Sequence, residues 1–192
     1  MNVQDCLNSL TYSNRECGPD GRLRELIVYI AERSIDDPRF GALKLNKILY
    51  FADFRSFARY GRPITGAAYM RLAEGPVPIR MFPIRKEMLD SHEIALVKTP
   101  YHGYDQHRVV PLREPNLDCF RAQDIAIVND VITWLWNRTG TEASKLSHGR
   151  AWRIVSDKQP IPYEAAFISD DGLTDYDIAR SRELIHEHGW DV

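Results

Sequence analysis

A chain of 192 residues, 44% hydrophobic and 27% charged, has the composition of one globular domain able to bury a substantial core. Its net charge of −2 excludes an overall basic field that would draw it to nucleic acid or an anionic membrane. No apolar run approaches the span of a bilayer, the N-terminus is not a signal peptide, and three cysteines (Cys6, Cys17, Cys119) show no metal-ligand spacing. The expected setting is the cytoplasm, with the thiols reduced.

Residues 1–20 are polar and read as a leader, packed on the surface or frayed. From Arg22 to Ser34, Leu23, Leu26, Ile27, Ile30 and Ala31 recur at helical spacing, with Asp20 in the first turn and Asp36-Asp37-Pro38 as the stop. The stretch from Lys44 to Tyr60 is apolar on nearly every side, which marks a central helix packed from several directions. Its polar residues fall in narrow seams, Asn46 with Asp53 on one and Lys44, Arg55 and Arg59 on another. Gly61-Arg62-Pro63 ends it.

Ile64 to Glu74 is open between a short helix capped by Thr65 and an extended run. Gly75-Pro76-Val77-Pro78 is a stiff turn, and Pro78 can open a helix reaching Leu89 that Pro83 kinks or delays. Glu93–Lys98 and Gln106–Leu112 alternate as strands of a β-hairpin, with Thr99 to Gly103 as a long tip. Asp118 to Arg138 carries the stripe Ile125, Val128, Ile132 and Leu135, a second strong helix. Thr139-Gly140 ends it, and Thr141 caps a short helix to about His148. Pro160-Ile161-Pro162 breaks the chain, a helical turn or two follows from Tyr163, and Thr174 to Asp177 form a capping box for a last helix to His188. The expected fold is mainly α (α+β): a compact helical domain around a central helix, with a small antiparallel hairpin. Residues 21–170 form the domain, and 171–192 a C-terminal helix packed on it.

Candidate chemistry is sparse. Of the six histidines, His186 and His188 point to different sides of one helix, and His102 and His107 lack an acidic or Cys partner at ligand spacing. No nucleophile elbow, P-loop or dinucleotide fingerprint occurs. No catalytic residue, metal or cofactor is expected.

Three short motifs stand in order: Lys44-Leu45-Asn46-Lys47-Ile48-Leu49-Tyr50, Gly75-Pro76-Val77, and Leu146-Ser147-His148 followed by Trp152. Together they resemble the Panacea domain, the SocA-like antitoxin family, from about Leu23 to about Ile168. The resemblance implies a mostly helical domain that acts as the antitoxin of a two-gene toxin–antitoxin pair and neutralises its cognate toxin by direct protein binding. Asn46 stands where the pattern more often has Gln, and Pro83 interrupts the helix after the Gly-Pro turn. No helix-turn-helix module precedes the domain, so DNA binding is not expected; a homo-oligomer is left open. Two other functions remain on the table. One is an adapter that presents a bound client to a protease; the other is a small hydrolase or metal enzyme using His148 and Asp53.

The motif residues Lys44, Lys47, Tyr50, Asp53, Gly75, Pro76, His148 and Trp152 read first as structural, His148 as a hydrogen-bonded anchor beside Trp152. The partner surface is expected among exposed aromatic and Arg side chains near the central helix end and the Gly-Pro turn: Tyr60, Arg62, Tyr69, Arg71 and Arg80.

Overall fold

A computed structural model describes residues 17–101 and 104–168, together with the helical positions Ala179, Arg182, Glu183 and His186. The fold is mainly α with a small β part. Helix α1 (Pro19–Arg33) starts on Pro19 in its first turn and buries Leu23, Leu26, Ile27 and Ile30. Helix α2 (Ala42–Tyr60) is the centre. It packs against α1, against the later helices Ala122–Leu135 and Gly140–Leu146 and against the 3-10 turn Tyr163–Phe167, which is why its apolar residues face all round. Gly61 closes it at φ 69°, its N–H bonded to Phe57 O.

The stretch left open after Gly61 is extended: β1 (Tyr69–Met70) pairs with β2 (Val77–Pro78) across the Gly-Pro turn. A third short strand, β5 (Pro160–Ile161), joins the other edge of β1, where the sequence shows only a break. Two prolines at sheet edges need no donor there, so the break and the strand are compatible. Helix α3 (Met81–Asp90) tolerates Pro83 because a first-turn residue has no helical partner for its missing N–H.

Strands β3 (Ile94–Tyr101) and β4 (Tyr104–Pro111) form the hairpin, in register from Ile94↔Pro111 to Tyr101↔Tyr104. The expected long tip is therefore absorbed into the strands, leaving only residues 102 and 103 between them. A 3-10 turn (Leu117–Cys119) precedes α4 (Ala122–Leu135), which starts later than the periodicity suggests. The cap of α5 (Gly140–Leu146) is Thr139 rather than Thr141. Its hydroxyl accepts from Glu142 N while Glu142 reaches back to Thr139 N. Helix α6 (Arg150–Arg153) and a second 3-10 turn (Tyr163–Phe167) complete the described fold.

Cys17 and Cys119 are joined in a disulfide, Cα–Cα 5.7 Å, which corrects the expectation of reduced thiols for this pair. Folding brings the start of α1 beside the first 3-10 turn, a proximity that 102 residues of separation conceal. Among the described residues no helix is long and apolar enough to cross a membrane. Most of the leader and most of the last helix lie outside the described residues.

Candidate functional site

The three motifs meet at one junction. Lys47 projects from α2 with no solvent exposure, and its Nζ donates to Pro76 O at 3.0 Å. The Gly-Pro turn is closed by Gly75 N to Leu72 O at 2.9 Å. From α5, Ser144 Oγ donates to Glu74 O at 2.8 Å, and Ser147 Oγ donates to Ser144 O at 2.7 Å. Gly75 sits at φ 91°, and a Cβ there would lie 2.3 Å from Ser147 Oγ and 2.8 Å from Lys47 Nζ. Only glycine fits so tight a crossing of three segments.

Outside this junction lies a stacked set of side chains. The Arg71 guanidinium lies 3.9 Å from the centre of the Trp152 ring, and the His148 ring stacks on Trp152 at 4.1 Å. Trp152 Nε1 donates to Leu72 O at 3.1 Å, and Arg71 also donates to Val155 O. Arg153 Nε holds His148 O at 2.9 Å. Among the described residues His148 Nε2 is buried without a hydrogen-bond partner, and the ring is held by its stacking on Trp152. Burial and the nearby Lys47 charge hold the imidazole below its usual pKa.

A second polar centre lies along α2. Asp53 is wholly buried; its carboxylate accepts from Thr65 N at 2.7 Å, from Thr65 Oγ1 and from Tyr69 Oη at 2.7 Å. Tyr163 Oη donates to Ala67 O at 2.5 Å and stands 3.4 Å from Asp53. Lys44 is buried against Asp37, Nζ to Oδ2 2.5 Å. Tyr50 packs its ring on Phe54 and Tyr69. Lys47, Asp53, Gly75 and Trp152 are each held by a segment distant in sequence.

The proposed partner residues divide. Tyr69 is 1% exposed, so its place on an exposed surface is corrected: the short β1 strand turns it onto Asp53. Arg62 is half-buried and pairs with the buried Asp124 at 3.1 Å. Arg71 is half-buried over Trp152. Tyr60, 40% exposed, and Arg80, paired with Asp20 at 3.0 Å, remain at the surface. Each is committed to a different neighbour. Sequence reasoning missed Thr65, Tyr163, Asp37 and Ser144. Thr65 reads in the sequence as the cap of a short helix or part of an extended run, and no local signal marks its bond to Asp53, twelve residues earlier.

Burial pushes the Lys47 ammonium from its ordinary 10.5 down to about 7, with Glu74 partly offsetting the shift. The folded chain therefore holds fewer protons than the unfolded chain between these values, and stability rises with pH through that window. Lys47→Met is expected to flatten this rise by up to about 1.4 kcal/mol per pH unit. Urea unfolding at pH 7, 8 and 9 reads it. Equal slopes in both proteins would show that Lys47 is not charged at a cost.

Among the described residues no group of three His, Cys, Asp or Glu side chains is placed to hold a metal ion. The framework geometry instead matches the order of the motifs. A family model described as antitoxin SocA-like, Panacea domain, matches residues 45–153. No curated protein and no solved structure matches the chain. The match covers more than half of the chain and contains the Lys47–Gly75–Ser147 junction, and the chain belongs to the SocA-like antitoxin family with a Panacea domain.

Proposed function

We propose that this chain is the antitoxin of a two-gene pair and neutralises its cognate toxin by direct protein–protein binding, without catalysis or cofactor. The observation that carries the reading is the family match together with the inward commitment of the motif residues. A signature spent on framework leaves the exposed side chains around it to choose the partner. The cytoplasm is the proposed compartment on the antitoxin reading alone, not on the thiols, since Cys17 and Cys119 are paired. The hydrolase reading asks a substrate to reach Asp53, a carboxylate with no exposed surface and three donors already on it. The adapter reading needs the same complex and differs only in the fate of the client.

Co-expression with the product of the adjacent reading frame tests the proposal. Growth should be restored and the two proteins should co-purify, with the partner intact. Restored growth with the partner degraded would favour the adapter, and restored growth without a complex would sink both. Tyr60 and Arg80 carry the residue-level prediction. Tyr60→Ala combined with Arg80→Ala should weaken the complex by about tenfold or more while leaving the thermal midpoint in place. Titration calorimetry of the complex measures the first, and a melting curve the second. Unchanged affinity would remove these two side chains from the partner surface.

A further inference from the structure

A disulfide and a cytoplasmic antitoxin stand in tension. In that compartment thiols are kept reduced, and the disulfides that do form are mostly transient ones, catalytic or sensing redox state. The Cys17–Cys119 link has the layout of such a device. It joins Cys17, two residues ahead of α1, to the end of the first 3-10 turn, across 102 residues of sequence. Cys119 is 2% exposed, whereas Cys17 is only partly buried and the flanking Gly18, Pro19, Leu117 and Asp118 are exposed. A reductant can approach from the Cys17 side while the core stays closed.

The start of α1 has weak anchors besides this link. Gly18 has no side chain to cap the helix, and the first core residue is Leu23. Arg22 Nε reaches Thr65 O at 3.3 Å, and Asp20 pairs with Arg80 at 3.0 Å, with both side chains of the pair 52% exposed. An ion pair so exposed contributes little. The 3-10 turn is held independently. Asn116 N donates to Glu25 Oε2 at 2.7 Å, and Arg113 Nη2 donates to Glu25 Oε1 at 2.7 Å. Opening the disulfide therefore loosens the first turn of α1 and leaves the 3-10 turn in place.

We propose that Cys17–Cys119 is a redox switch at the edge of the partner surface, opened by a thioredoxin-type dithiol and closed by oxidised glutathione. In the closed state Asp20 is held against Arg80. In the open state the first turn frays, and Arg80 exchanges Asp20 for a carboxylate of the toxin. This consequence rests on the antitoxin reading; the opening and closing of the link do not. Opening starts with a thiolate of the dithiol attacking Cys17 Sγ. The S–S bond breaks, and Cys119 leaves as a thiolate that takes up a proton. The second thiol attacks the mixed disulfide, Cys17 is released as a thiol, and the dithiol closes as its own disulfide, having given up two electrons. In closure, glutathione disulfide takes two electrons back and leaves as two thiols.

The isolated full-length chain tests the switch without its partner. Thioredoxin with its reductase and NADPH should turn Cys17 and Cys119 into alkylatable thiols in the folded chain. Excess oxidised glutathione should then restore the linked peptides, and mass spectrometry reads both states. In the reduced chain the amides of residues 22–24, which close the first turn, should exchange with deuterium several-fold faster, with residues 27–31 unchanged. Phenylglyoxal should also modify Arg80 several-fold faster, with Arg113 as the unchanged control. Cys17→Ser with Cys119→Ala should show the reduced pattern under either treatment. If that variant does not fold, Cys17→Ser alone, which keeps the buried sulfur, should show it. Acid quenching and alkylation of an expressing bacterium should find the pair mostly free in growing cells and linked after diamide. A link that opens only in urea, equal exchange in both states, or an Arg80 rate indifferent to redox state would each overturn the proposal. So would a pair linked, or free, in both cell samples. Failure of the antitoxin reading would leave every one of these readouts unchanged.

Discussion

Gly75→Ala is expected to lower the thermal midpoint by about 4–20 °C, from a loss of about 2–5 kcal/mol at roughly 2–4 °C per kcal/mol for a chain of this size. Two effects add. The backbone at φ 91° is a conformation that side-chain-bearing residues rarely adopt, which costs about 1–2 kcal/mol. The new Cβ would also lie 2.3 Å from Ser147 Oγ and 2.8 Å from Lys47 Nζ. Overpacking a well-filled site costs about 1–3 kcal/mol. Neither neighbour is free to yield. Ser147 Oγ is bonded to Ser144 O, and Lys47 Nζ to Pro76 O, so a shift breaks a buried hydrogen bond. Removing the closer obstacle should help: Gly75→Ala with Ser147→Ala is expected to be less destabilised than the sum of the single changes. A melting series on the four proteins decides it. A Gly75→Ala chain with the native midpoint would show that the turn is not held against α5 and α2.

The same junction shows what could be read in the sequence and what could not. Periodicity found the central helix because Lys44 to Tyr60 is apolar all round, a pattern that only a helix packed on many sides produces. It found the hairpin because Ile94 and Leu96 share one face of an alternating run, yet it misplaced the tip, where strand pairing overrode the turn chemistry of Thr99 and Pro100. Gly75 was legible as a turn. Its contact with Ser147, however, depends on α5 arriving beside the turn, and no local rule encodes that. Strand β5 failed for the same reason, since Pro160 and Pro162 speak against a strand unless its partner makes it an edge. Tyr69 is the clearest miss among the site residues. An aromatic in a two-residue strand gives no period to tell inside from outside, and a buried carboxylate sixteen residues earlier decided its side. Arg62 and Arg71 failed less completely. Arginine serves interfaces and internal pairs equally well, and here Asp124 and Trp152 took them.

Asp53→Ala is expected to cost about 3–6 kcal/mol, which is a fall of about 6–24 °C in midpoint at this chain length. The carboxylate accepts from Thr65 N, Thr65 Oγ1 and Tyr69 Oη, all buried. Alanine leaves three donors in a site that water does not reach, and an orphaned buried donor costs about 1–3 kcal/mol. Thr65 Oγ1 also accepts from Ala67 N, so the turn that launches β1 loosens with it. The pH dependence carries the sign. Burial raises the Asp53 carboxyl above its ordinary range, and the bonds from Thr65 and Tyr69 pull it only part of the way back. A folded state that holds its proton more tightly than the unfolded state loses stability as pH rises from the unfolded to the folded pKa. The native chain pays that loss and the Asp53→Ala chain does not. The stability gap between them should therefore be widest in acid and narrow as the pH rises towards neutral. Urea unfolding of both proteins across pH 4–8 measures the gap, and all other groups cancel in the difference. A gap that widens with pH would mean that the three donors outweigh burial and that the folded protein prefers Asp53 ionised.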